Sequence, residues 1–125
     1  MITLTRVYDY HPKASSKTCR EPTILVDRLW PRGISRGKLE IDLWLKDIAP
    51  SDKLRKWFSH DPKKWQQFEA KYMQEITKSS KKMQLLQQIR ETEKEKGSVI
   101  LLYSAKDKEH NNAVALKEIL YKSEI

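Results

Sequence analysis

Ser98-Val99-Ile100-Leu101-Leu102-Tyr103 is the stretch that decides the fold. A run almost continuous in apolar and β-branched residues reads as a strand buried on both faces, the signature of the interior of a parallel sheet. Gly97 just before it stops the preceding helix, since glycine tolerates the left-handed conformation that ends one. This run is the expected centre of the sheet.

Upstream, Thr23-Ile24-Leu25-Val26 reads as a second short buried strand. It breaks into Asp27-Arg28-Leu29-Trp30-Pro31-Arg32-Gly33, a charged segment closed by a Pro/Gly turn. Leu4 to Asp9 alternates weakly and reads as the first strand. Tyr10 to Glu21, polar, with Pro12 within it and Pro22 just after it, reads as a mobile loop. Ser35 to Lys38 reads as a turn, and Ile41 to Lys46 alternates with period two, predicting a short strand.

The helices carry clear boundary signals. Ser51 after Pro50 is placed to cap a helix through Leu54, Trp57 and Phe58, with Asp52 in the first turn, where the helix dipole favours an anion. Asp61-Pro62 repeats the pattern, proline fitting the first helical position. Trp65, Phe68, Tyr72 and Ile76 then mark one face of a long helix. Ser79-Ser80 breaks it, and Met83, Leu86 and Ile89 form the next stripe. Ala113, Leu116, Ile119 and Leu120 mark a final helix. Strands interleaved with helices predict an α/β fold: one domain over 1–125, with a small, mostly parallel sheet and helices against its faces.

The 125 residues suit one core, and 38% hydrophobic content with four tryptophans argues against disorder. One cysteine, Cys19, forms no internal disulfide, and no Cys/His cluster has zinc spacing, so no metal is expected. No apolar run approaches the roughly 18 residues of a membrane span, and no secretory signal is visible, so a cytoplasmic protein without membrane association is expected. The net charge of +8 lies largely in residues 51–96, with twelve Lys/Arg against seven Asp/Glu. Such a surface attracts anions and supports weak, salt-dependent contact with nucleic acid. It is equally the solvated face of Lys-rich helices.

Ligands in α/β proteins bind beyond the carboxyl ends of the strands, which singles out two loops. In the first, Arg28 and Arg32 flank a stiff Leu-Trp-Pro, placed to hold phosphate or carboxylate with paired hydrogen bonds, and the Trp30 ring is placed to stack on a base. The structural alternative is a latch in which Asp27 pairs with one of these arginines and Trp30 fills core. In the second loop, Lys106, His110, Asn111 and Asn112 follow the central strand. The asparagines sit where a helix N-terminus presents free N–H groups; the alternative is that an Asn or Asp107 merely caps that helix. Asp27 and Tyr103 are the candidate proton-transfer groups. His60 reads as structural, and His11 and Cys19 are given no role. With three glycines, no phosphate loop or dinucleotide fingerprint exists, so no cofactor is expected.

Together, Leu25 to Gly33, Asp42-Leu43-Trp44, Leu101-Leu102-Tyr103, Lys106-Asp107 and His110-Asn111 resemble the YeaO-like branch of the domain-of-unknown-function 488 family, over Arg6 to Leu120. The resemblance implies an α/β fold and a bacterial-type cytosolic protein, and carries no established activity. The broader family's Val-Asp and Pro-Arg element is matched by Val26-Asp27 and Pro31-Arg32. Its late Cys-His-Arg element reads here Asn111-Asn112-Ala113, so thiol- or His-dependent chemistry does not transfer.

Beside a blander possibility, an interaction subunit with Trp30 and Trp44 partly exposed at an oligomer interface, the residues leave two functions in view. One is a site for an anionic, phosphate-bearing small molecule at the sheet edge, in enzymatic form a small hydrolase or transferase acting on a nucleotide or nucleic-acid-like substrate. The other is a non-catalytic module using the basic surface to bind nucleic acid or an acidic protein. Whether the loops at 27–33 and 103–112 adjoin is the deciding structural question.

Overall fold

The computed structural model describes residues 1–10, 21–39 and 41–122. Its four strands, β1 (Ile2–Arg6), β2 (Thr23–Leu25), β3 (Leu43–Trp44) and β4 (Val99–Tyr103), form one sheet in the order β1-β4-β2-β3. All pairings are parallel, with Leu4 opposite Leu101 on one side of β4 and Ile24 opposite Leu101 on the other. The apolar run around Leu101 therefore occupies an interior position, as its composition demands. Four helices complete the fold: α1 (Asp52–Phe58), α2 (Trp65–Lys78), α3 (Ser80–Lys96) and α4 (Asn112–Lys122).

Ser51, Asp61 and Gly97 bound their helices as the sequence announces, and the break expected at Ser79-Ser80 is present. Ser51 Oγ accepts from Leu54 N–H at 3.1 Å, and Asp61 accepts from Lys63 N–H at 3.0 Å ahead of Pro62. Pro62–Lys64 forms a short 3-10 turn before α2. Ser79 ends α2 and caps α3, accepting from Lys82 N–H at 3.2 Å, and Gly97 ends α3 at φ +84°. Ser51 is itself held by Glu75 of α2, which accepts from both its backbone N–H and its hydroxyl.

Alternation along β4 splits the interior in two. Val99, Leu101 and Tyr103 face a large core with every buried residue of the four helices, while Leu102 joins Leu25, Val7 and Leu39 on the opposite face. Among the described residues, that second face is covered by non-helical chain: Trp30, Ile34 and Ile41, packed with Trp44. The helices are thus layered on one side rather than both.

Three local expectations shift. The first strand starts at Ile2 and ends at Arg6, where Val7–Asp9 turns into a 3-10 helix. Period-two alternation over Ile41 to Lys46 yields only Leu43–Trp44, because Leu45 leaves the extended region at ψ 64° and Lys46–Ile48 forms a 3-10 turn. Met83 is 41% exposed, so the buried stripe of α3 is Leu86 and Ile89, with Leu85 packed beside it. Most of the expected loop between Tyr10 and Glu21, with His11 and Cys19, lies outside the described residues.

Candidate functional site

In a parallel sheet all strands end at one edge, and here the chain leaves β4 and β2 toward opposite faces. From β4 it passes into α4 on the helical face, and from β2 toward Trp30, Ile34 and Leu39 on the other. Such a divergence opens a crevice at the carboxyl edge. A cleft of about 530 Å³ occupies it. Asp27, Arg28, Trp30, Arg32, Lys106, His110, Asn111 and Asn112 all line it, so the two candidate loops are side by side.

Asp27 is the hinge between them. Its Oδ2 accepts from Ser104 N–H at 2.9 Å and Ser104 Oγ–H at 2.7 Å, and its Oδ1 accepts from Asn112 Nδ2 at 3.1 Å. The same Asn112 amide donates to Val26 O at 3.1 Å, and Trp44 Nε1 donates to Asp27 O at 2.7 Å. A carboxylate met by this many donors fixes the ends of β2, β4 and α4 against one another. The expected latch therefore exists, but its partners differ. Among the described residues Asp27 pairs with no arginine, and Arg28 instead faces Asp52 at 3.8 Å.

The cations divide by how far they are engaged. Arg28 and Arg55 share Asp52, at 3.8 and 3.3 Å, in exposed pairs that contribute little to stability and exchange partners readily. Arg6, from the end of β1, donates through Nε to Ala105 O at 3.1 Å and lies 4.6 Å over the Tyr8 ring. Arg32 and Lys106 are exposed and form no ion pair among the described residues. Tyr8 Oη donates to Arg32 O at 2.8 Å, which ties the turn to β1 while leaving the guanidinium free of that bond.

The second loop is occupied largely with itself. Asp107 accepts from Glu109 N–H at 2.9 Å, His110 N–H at 3.1 Å and the His110 ring Nδ1 at 3.0 Å. The Glu109 N–H bond, together with those from His110, holds its carboxyl below the usual carboxylate range, against some burial. Asn111, buried, donates to Asp107 O at 2.9 Å and accepts from Val114 N–H at 2.9 Å, which is the capping role for α4. The His110 ring meets Trp65 edge-on at 5.3 Å.

Trp30 lines the cleft with its ring already fixed. Its Nε1 donates to Ile34 O at 2.7 Å, its ring meets Trp44 at 5.4 Å, and the Arg36 guanidinium lies 5.3 Å over it. Tyr103 does not line the cleft; its ring belongs to the helical-face core, where burial raises its hydroxyl pKa. Asp42 accepts from Thr23 N–H at 2.8 Å and staples the sheet edge, while Asp47 pairs with Lys81 at 2.9 Å.

Arg6, Tyr8 and Arg55 also line the cleft and escaped the sequence reading, and His60, read as structural, lines it with them. For Arg6 the signal was present: it ends β1 at the same sheet edge as Asp27 and Ser104. His60 and Ser59 are consecutive non-glycine residues at φ 55° and 46°, beyond the end of α1. Two such residues in succession store backbone strain at the cleft wall. Among the described residues no group of acidic, His or Cys side chains is arranged for a metal, and no helix is long and apolar enough to cross a membrane.

A family described as the inactive DUF488-N3 subclade, DUF488-N3i, matches residues 1–124. The chain belongs to that family. The uncharacterised protein YeaO of Escherichia coli strain K12 is 39% identical over 119 residues, covering 95% of this chain and 96% of its own. Uncharacterised proteins of Mycobacterium bovis and Mycobacterium tuberculosis are 40% identical over 57 residues, 46% of this chain and 48% of each of theirs. The match thus spans about half the length of those mycobacterial relatives. No solved structure matches the chain.

Proposed function

We propose that this protein is a non-catalytic binding module that holds a phosphate-bearing anion in the cleft beyond β2 and β4. The observation that carries the reading is the division of labour around Asp27. The one carboxylate lining the cleft is committed to Ser104 and Asn112, whereas Arg32 and Lys106 stand at the same opening without ion-pair partners among the described residues. Arg28 and Arg55 need only exchange Asp52 for a ligand to join them, and Arg6 closes the β1 side. Guanidinium forks suit phosphate geometry, and Lys106 adds a point charge.

A carboxylate whose oxygens already accept three hydrogen bonds from the protein is badly placed to take a proton from a ligand. The family's description as inactive and the Asn111-Asn112-Ala113 sequence, in place of the Cys-His-Arg element of the broader resemblance, support binding without turnover. A catalytic reading, hydrolase or transferase, has one observation in its favour: His110 is oriented by Asp107 at 3.0 Å and lines the cleft. Calorimetric titration with inorganic phosphate tests the binding reading. Saturable binding weakened by about tenfold in Arg32→Ala and in Lys106→Ala is the expected result; salt-sensitive binding unaltered by either variant points to the diffuse basic surface instead. Release of nitrophenol from p-nitrophenyl phosphate, abolished by His110→Ala, would establish the enzymatic alternative.

A further inference from the structure

We propose that the ligand is a phosphate monoester of an aromatic or comparably apolar alcohol, with its dianionic end at Arg32 and Lys106. The inference rests on the anion reading above and supplies the other half of the molecule.

Size is the first argument. At about 530 Å³ the cleft lies in the range of small-molecule sites and is far roomier than a free phosphate needs. Its remaining wall is apolar: Leu29, Pro31, Pro50 and Phe58 line it. Phe58 is buried and stacked on Phe68 at 4.4 Å, with Trp65 at 5.9 Å, so the wall is rigid before any ligand arrives. Leu29 is its opposite, 64% exposed between Arg28 and Trp30. An apolar side chain held in water on a charged loop gains most when something apolar covers it.

Charge supplies the second argument. Two cations without ion-pair partners among the described residues match a dianion. An inorganic anion would leave the apolar wall wet, and a neutral apolar ligand would leave both cations unmatched. A molecule anionic at one end and apolar at the other satisfies both surfaces.

The test is calorimetry at about pH 8, where a phosphate monoester is a dianion, at low and high salt. The probes are inorganic phosphate, phenyl phosphate, benzyl alcohol and a short oligothymidylate, each on wild type, Arg32→Ala and Leu29→Ser. Phenyl phosphate should bind at least about tenfold more tightly than inorganic phosphate. Leu29→Ser, a surface change, should reduce that advantage, and Arg32→Ala should weaken both anions. Equal affinity for the two anions overturns the inference while leaving the anion site standing. Failure of both anions to bind removes site and inference together. Tighter binding of the oligonucleotide, with a steep salt dependence and no preference for phenyl phosphate, also overturns it in favour of a polyanion-binding surface. Binding of benzyl alcohol as tight as that of phenyl phosphate overturns it as well, because the phosphate would then contribute nothing.

Discussion

The loop after β2 and the loop after β4 meet at one cleft, yet they use their polar groups in opposite ways. Apart from the exposed Lys106 and Lys108, residues 104–112 turn theirs inward: Ser104 and Asn112 grip Asp27, Asp107 gathers Glu109 and His110, and Asn111 caps α4. Residues 28–33 leave theirs outward, with Arg32 exposed and Arg28 only loosely paired. Chemically capable side chains therefore split into those that build the site and those free to contact a ligand. Only hydrogen-bond partners distinguish them, since residue type does not.

Substitutions on each side should separate stability from binding. The largest effect belongs to Asp27→Ala, which strands the Ser104 N–H, the Ser104 hydroxyl and one Asn112 bond; urea denaturation should show a loss of about 3 kcal/mol. Where the variant remains folded, removing a negative charge from the cleft should tighten phosphate binding, so stability and affinity move in opposite directions. A drop in affinity parallel to the drop in stability would break the division. Arg32→Ala should reverse the pattern, with an unfolding midpoint within about 0.5 kcal/mol of wild type and phosphate affinity lower by about tenfold, or ~1.4 kcal/mol. Asn111→Ala should lower stability by about 1 kcal/mol through loss of the α4 cap, with phosphate affinity less affected than in Arg32→Ala.

The smallest effect is that of pH on Asp107. Its folded pKa lies below the ordinary 3.8, so its contribution is fully present above that value and is lost as pH falls through the lower, folded one. Melting temperature should therefore fall more steeply below pH 3.8 in wild type than in Asp107→Asn. Identical acid limbs would mean that the loop does not depend on that carboxylate.

Much of this architecture was legible because it is local. Ser51, Asp61, Ser79 and Gly97 act within a helical turn of themselves, and the Val99 to Tyr103 run declares an interior strand by composition alone. The loop after β2 was legible as a candidate because a strand end, two arginines and a stiff turn coincide. What pairs across the chain was not. Asp27 and Ser104 are 77 positions apart, and nothing in either neighbourhood selects the other over a nearby arginine. Arg55 and His60 reach the cleft only because α1 packs near the carboxyl edge, a fact of tertiary structure. The alternation of Ile41 to Lys46 misled on strand length because β3 lies at the edge of the sheet, next to β2 alone, and backbone geometry ends it at Leu45.

The position of β4 also governs how the molecule comes into being. Both β1 and β2 hydrogen-bond to β4, and among the described strands they do not touch each other. While a ribosome is still synthesising residues ahead of Val99, these two strands have no native partner between them. Helices α1 to α3 can assemble early from nearby contacts, but the sheet must wait for a late strand and then close over long chain separations, a slow event. Until then the edges of β1 and β2 stay open to wrong partners. Release of a nascent chain shortly before Val99 should therefore yield an aggregation-prone species rather than a smaller folded protein.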